Sequence, residues 1–331
     1  MTALAVLLDT RRRRPRTSKK KEPVRVFAIL IFGGAFGLAA CGLPVAGKVS
    51  GDLTIGMSVS TLSNPYFVQF RDGAEAAAQR SGIKLTIADA RNDASRQAAQ
   101  IRSFTKQRVK AIILNPVDSD AVAPAVTMAG QAGIPVIAAD RSVNGSEVTH
   151  TVTSNNVAGG KLGAKVLAKQ LGGEGNVVVL QGTADTSVSR DRDRGFSDGI
   201  AAYPKIKVIA RQPADFNRAT GQRVMTNLMQ RHPDITGVFA SNDEMALGAI
   251  QALANRAGHQ VKVVGFDGTP DGIKAVQGGT MAATVAQQPR LIGSRAVNDA
   301  IKAARGQVIA NSVAVPIKLA TKDNAQEFWT F

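Results

Sequence analysis

Thiol and imidazole chemistry is almost missing from this chain. Its 331 residues hold one cysteine and three histidines. One cysteine permits no intramolecular disulfide framework and no Cys-based zinc site. His150, His232 and His259 stand far apart, and no H-E-x-x-H pair occurs, so no metal site is expected. A P-loop is missing too, and no cofactor is expected. The hydrophobic fraction of 44% is ordinary for globular proteins, which sets aside wholesale disorder and collagen-like repeats. At roughly 100–200 residues per domain, the length suits two compact domains.

The net charge of +16 suggests nucleic acid until it is located. Residues 1–25 carry nine basic side chains against Asp9 and Glu22, and so account for +7. The remaining excess is spread thinly, unlike a phosphate-binding stripe. After the basic run, residues 26–40 (VFAILIFGGAFGLAA) are uncharged but fall short of the roughly 20 residues a membrane span needs. A basic region, an apolar region and small residues before a cut describe a secretory signal over 1–40. Leu38-Ala39-Ala40-Cys41 resembles a bacterial lipobox, in which Cys41 is lipidated and becomes the first mature residue. Residues 41–51 read as a linker. The expected location is the periplasm or cell envelope, outside the cytoplasmic membrane, with a lipid anchor.

The body alternates strand and helix. The pattern predicts strands over 53–60, 84–89, 111–115, 134–139, 176–180, 207–210, 237–241, 261–266 and 282–286. Asn64-Pro65 opens the first helix as cap and first-turn proline, and Phe67, Phe70, Ala74 and Ala77 follow on one face. Further helices are expected over 95–107, 121–132, 156–171, 187–202, 218–230, 243–256 and 291–304, with a short one between 266 and 282. Such units imply an α/β fold with two doubly wound parallel-sheet domains. Ligands of these sheets lie beyond the carboxyl ends of the strands.

The residues at those tips form a coherent chemical set. They are Ser60, Asn64, Tyr66 and Phe67; Asp140 and Arg141; Arg190-Asp191-Arg192; Asp215-Phe216; Asn242-Asp243; Asp267; and Gln287. Carboxylates and guanidinium forks suit hydroxyls that both donate and accept, while aromatic faces suit the C–H faces of a sugar ring. The set reads as a carbohydrate site. Asn64 also serves as a helix cap, Asp267 could be a turn residue, and spacing does not choose between Arg190 and Arg192. Asp140 and Asp267 are the paired carboxylates an enzyme could use, yet each is matched to hydroxyls or an arginine, so turnover is not expected. A sugar-responsive repressor would need an N-terminal helix-turn-helix where the signal segment stands.

The segments VSTLSNPYFV (59–68), NPVDSDAV (115–122), IPVIAADR (134–141), SNNVAGGK (154–161), QPADF (212–216), FASNDEMALGA (239–249), VVGFDGTPDG (263–272) and ATVAQ (283–287) carry a resemblance. They resemble the type I periplasmic binding proteins of bacterial ABC sugar importers, and within that family the ribose binders, over roughly 52–318. The resemblance implies ligand contacts at Ser60, Asn64, Tyr66, Phe67, Asp140, Arg141, Arg192, Phe216, Asn242, Asp267 and Gln287, which selects Arg192 over Arg190. It implies a first lobe of 52–154 plus 288–316 and a second of 155–287 plus 317–331, joined by a three-strand hinge. The implied ligand is D-ribose or a close pentose or furanose relative, with another monosaccharide such as allose as the alternative. The implied partners are an ABC permease with its ATPase and a chemoreceptor, the protein itself being a monomer. The family pattern has phenylalanine where Tyr66 stands. The Tyr66 ring is expected to stack on sugar with its hydroxyl at the cleft mouth, making Tyr66→Phe nearly silent.

Overall fold

The computed structural model describes residues 53–328. The signal segment, the lipobox with Cys41 and the whole linker over 41–51 lie outside the described residues. Five strands come early in the chain: β1 (Thr54–Val59), β2 (Lys84–Asp89), β3 (Ala111–Leu114), β4 (Val136–Ala139) and β5 (His150–Ser154). The helices α1 (Pro65–Ser81), α2 (Ala94–Lys106) and α3 (Ala123–Gln131) connect the first four of them. Next come α4 (Asn156–Gln170), β6 (Glu174–Gln181), α5 (Ser187–Ile200), β7 (Lys205–Pro213), α6 (Arg218–Arg231) and β8 (Gly237–Ala240). They are followed by α7 (Asp243–Leu253), β9 (Lys262–Asp267), α8 (Pro270–Gln277), β10 (Ala283–Ala286) and α9 (Pro289–Ala304). The strands β11 (Ser312–Val315) and β12 (Lys318–Thr321) come last.

Two six-stranded sheets result, ordered β11-β5-β4-β3-β1-β2 and β12-β10-β9-β8-β6-β7. The chain passes between them after β5, after β10 and after β11. Both belong to one compact unit. Every ladder is parallel except β10–β12, where an antiparallel strand closes the edge of the second sheet. The central strands β1, β3, β4, β8 and β10 are almost wholly buried apolar runs, as expected of parallel strands covered on both faces. Phe70 of α1 and Ile292 and Val297 of α9 fill one face of the first sheet. Phe196 of α5 stacks on Phe239 of β8 at 4.3 Å in the second.

Three strands escape the sequence pattern: β5, β11 and β12. HTVTS in β5 alternates polar threonines with buried positions, and SVAV in β11 lies on an exposed edge, so neither shows an apolar run. Register places the functional tips. Ser58 pairs with Leu114, which puts Asn115 within reach of the Ser60 N–H, and Ala286 pairs with Asp267, which sets Gln287 beside that carboxylate.

Candidate functional site

The first turn of α1 delivers the aromatic wall. Asn64 Oδ1 accepts from Tyr66 N at 2.9 Å, and Pro65 occupies the first helical position. This cap fixes Tyr66 and Phe67 at the mouth of the sheet, their rings edge-to-face with centroids 5.2 Å apart. At the tip of β4, Asp140 adopts φ 68°. Its N–H donates to Val152 O at 2.7 Å and its carbonyl accepts from Thr153 Oγ1 at 2.6 Å, so its carboxyl is aimed by bonds on both sides. Arg141 Nη1 donates to Pro116 O at 2.7 Å. Its guanidinium sits between the Phe67 and Phe216 rings, 5.2 and 5.6 Å from their centroids.

The second lobe supplies the opposing charges. Arg192 on α5 donates from Nε to Asn156 Oδ1 at 2.8 Å, and from Nη1 to Ser241 O at 2.7 Å and Asp267 Oδ1 at 3.3 Å. Gly160 of α4 packs against the Arg192 carbonyl where no Cβ fits, which lets α5 approach closely. Gln287 Nε2 donates to the same Asp267 oxygen at 2.8 Å. Asn242 caps α7 by accepting from Met245 N at 2.9 Å, and its Nδ2 reaches Phe216 O at 3.4 Å. Asp140, Asp215, Phe216 and Asp267 all have positive φ, so sparsely populated backbone gathers at this one place.

These tips close tightly around a small cavity of about 20 Å³. Tyr66, Phe67, Asp140 and Arg141 line it from one side, and Arg192, Phe216, Asn242 and Asp267 from the other, with Asn64 at the rim. Ser60 and Gln287 stand behind this lining. Among the described residues, Ser60 Oγ, Arg141 Nε and Gln287 Oε1 are buried with no hydrogen-bond partner. Orphaned groups of this kind are costly unless something else meets them. Burial pushes Asp267 up to about 8, assisted by the charges of Asp243 and Asp140 and opposed by Arg192. Burial also lowers Arg141 to about 10. Asp243 faces away from the cavity and accepts from Thr269 N at 2.7 Å and Thr284 Oγ1 at 2.7 Å.

Tyr66 departs from expectation. Its hydroxyl does not reach the cleft mouth; it is buried and donates to Asp140 Oδ1 at 2.6 Å. A donor facing a carboxylate is satisfied without water, which removes the reason for placing it at the edge. Outside the cavity, backbone and serine bonds tie the lobes together. Ser119 N donates to Asp185 O at 2.9 Å, Ser187 N to Ser119 Oγ at 3.1 Å, and Ser142 N to Ser187 Oγ at 3.0 Å. Arg190, the arginine not selected, pairs on the surface with Asp120 at 3.4 Å.

Residues 55–307 match the periplasmic binding protein domain. The chain belongs to the periplasmic binding protein family. It is 49% identical over 234 residues to the ribose import binding protein of Escherichia coli, covering 71% of this chain and 79% of that one. The ribose import binding protein of Bacillus subtilis is 41% identical over 271 residues, covering 80% and 88%. An ABC transporter solute binding protein from Actinobacillus succinogenes, solved with bound D-allose, superposes with a TM-score of 0.78 at 34% identity, over 83% of this chain and 99% of that one. One from Bacillus halodurans, with bound myo-inositol, gives 0.81 at 33% identity, over 85% and 99%.

Three residues of this periplasmic binding protein escaped the sequence reading. Asn115 bonds Asp140 Oδ2 at 3.3 Å and the Ser60 N–H at 3.2 Å, Asn156 holds Arg192, and Val188 lines the cavity. Asn115 ends a predicted strand, so its position carried the signal. Val188 is an apolar side chain in a helix's first turn, which carries none. Residues 195–199 spell G-x-S-x-G, but they lie within α5 and Ser197 Oγ donates to Asp193 O at 2.8 Å. A nucleophile elbow requires a strand-to-helix turn, so this match is not one.

Proposed function

We propose that this protein is the extracytoplasmic sugar-binding component of an ABC importer and takes D-ribose, or a close pentose or furanose relative, between its lobes. The observation that carries the reading is the cavity itself. Two carboxylate–arginine pairs and three aromatic rings line it, and three orphaned polar atoms lie at it, Arg141 Nε in the lining and Ser60 Oγ and Gln287 Oε1 just behind. Hydroxyls complete the donors and acceptors there, and sugar C–H faces cover the rings. The relatives named as ribose import binding proteins support ribose among the candidate sugars.

Closure completes the contacts, because the pairs come from opposite lobes. The lobes are 52–154 plus 288–316 and 155–287 plus 317–331, and the three crossings act as the hinge. Sugar touching both lobes favours the closed form alone, which the permease and its ATPase then receive. The protein acts by binding and release, as a monomer, without turnover; a chemoreceptor is a second reader of the closed form. Residues 1–40 export the chain, and a diacylated Cys41 holds it at the membrane, since two chains give the stable anchoring one does not.

Thermal melting in the presence of a panel of pentoses and hexoses tests the ligand. A ligand at a hundred times its Kd stabilises by about 2.7 kcal/mol, so ribose is expected to raise Tm clearly. A larger shift with allose moves the assignment to a hexose, and no shift with any sugar overturns it.

A further inference from the structure

The aromatic wall carries one hydroxyl, that of Tyr66, and Asp140 already holds it. A carboxylate offers about four acceptor sites, two at each oxygen. Asp140 gives one at Oδ1 to Tyr66 at 2.6 Å and one at Oδ2 to Asn115 Nδ2 at 3.3 Å. Arg141 Nε stands 3.9 Å from Oδ2, too far to donate. Neither partner is free to swing aside. The Asp140 backbone is bonded at both N–H and carbonyl, and the Tyr66 N–H is held by Asn64. The protein therefore keeps a hydroxyl of its own at a fixed point on this carboxylate, and both residues line the cavity.

We propose that Tyr66 is a specificity-determining residue whose hydroxyl takes the place of one ligand hydroxyl at Asp140, so that the cavity does not require a monosaccharide hydroxyl at that corner. This rests on the sugar-binding reading and narrows it. A phenyl ring at position 66 frees one acceptor site and the space of one oxygen. A sugar hydroxyl brought to that corner of the wild-type site meets the phenol oxygen at the Oδ1 site it would need. The phenol remains a neutral donor throughout, because burial and the charges of Asp140 and Asp267 hold its proton in place.

The test is calorimetry of D-ribose and its singly deoxygenated analogues on the purified wild type and on Tyr66→Phe. In the wild type, one analogue is expected to bind within about threefold of ribose, because the hydroxyl it lacks had no partner. In Tyr66→Phe the same analogue is expected to fall about tenfold or more behind ribose, because the freed acceptor now recognises that hydroxyl. Affinity ratios equal in both proteins to within about twofold overturn the proposal and leave the phenol as a brace for Asp140. So does a wild type in which every analogue loses about tenfold, a result that stands even if the variant misfolds. A wild type that binds neither ribose nor any analogue overturns the ribose reading and this inference together, and is told apart by the absence of any affinity to compare.

Discussion

The Arg192 guanidinium lies 3.8 Å from the centroid of the Phe266 ring. Phe266 is fully buried and does not line the cavity, so its ring is a platform beneath a charge that the cavity uses. A desolvated cation over an aromatic face gains about 2 kcal/mol, which here offsets part of the cost of burying the charge.

Phe266→Leu keeps an apolar core but removes that face. Sugar affinity is expected to fall about tenfold with no change in the residues that touch the ligand. Calorimetry on the folded variant checks this, and an unchanged Kd would remove the ring from the account.

Arg192→Lys is expected to be far from conservative. The guanidinium serves Asn156, Ser241 and Asp267 from Nε and Nη1 at once, and an ammonium on a flexible stem does not reproduce that fork. The loss is expected to be about a hundredfold or more in affinity, since buried acceptors are left without donors. Wild-type affinity would show that position 192 needs only a positive charge.

Asp267 links the site to pH. Its native pKa of about 8 lies above the ordinary value of 3.8, so the folded protein holds a proton there that the unfolded chain releases. Stability from this group is present at low pH and lost as pH rises through that window. The groups facing it are Arg192 from α5, Asp243 from α7, Asp140 from β4 and Gln287 after β10. Asp267→Asn keeps the shape and removes the titration. Without sugar, its Tm advantage over wild type is expected to widen from pH 5 to pH 8, and a gap independent of pH would contradict this.

The serine bonds between the lobes form only when the lobes meet. Ser119→Ala with Ser187→Ala removes two hydroxyl acceptors while leaving the cavity intact. At about 1 kcal/mol for each bond, sugar release is expected to quicken about tenfold or more with little change in the association rate. Stopped-flow fluorescence separates the two rates.

Much of this arrangement was legible in the sequence because parallel strands announce themselves as buried apolar runs and their tips follow by position. Nine of the tip residues line or rim one cavity. The strand β5 was not legible because two of its three buried positions hold His150 and Ser154 rather than apolar residues, and β11 and β12 were not because edge strands bury too little to show a period. The Tyr66 hydroxyl was misplaced for a related reason. Its partner lies 74 positions away, and only the register of the folded first lobe shows that Asp140 aims at it.

The left-handed backbone at Asp140, Phe216 and Asp267 divides the cavity wall into permissive and unforgiving positions. At the latter, most replacements face a backbone penalty of about 1–3 kcal/mol in addition to whatever the new side chain does. Tyr66, Phe67 and Val188 sit in ordinary helical turns and carry no such surcharge. A mutational library aimed at a new sugar therefore has its room at those three helical sites, while the two carboxylates and Phe216 form a part of the wall that such a library does best to leave untouched.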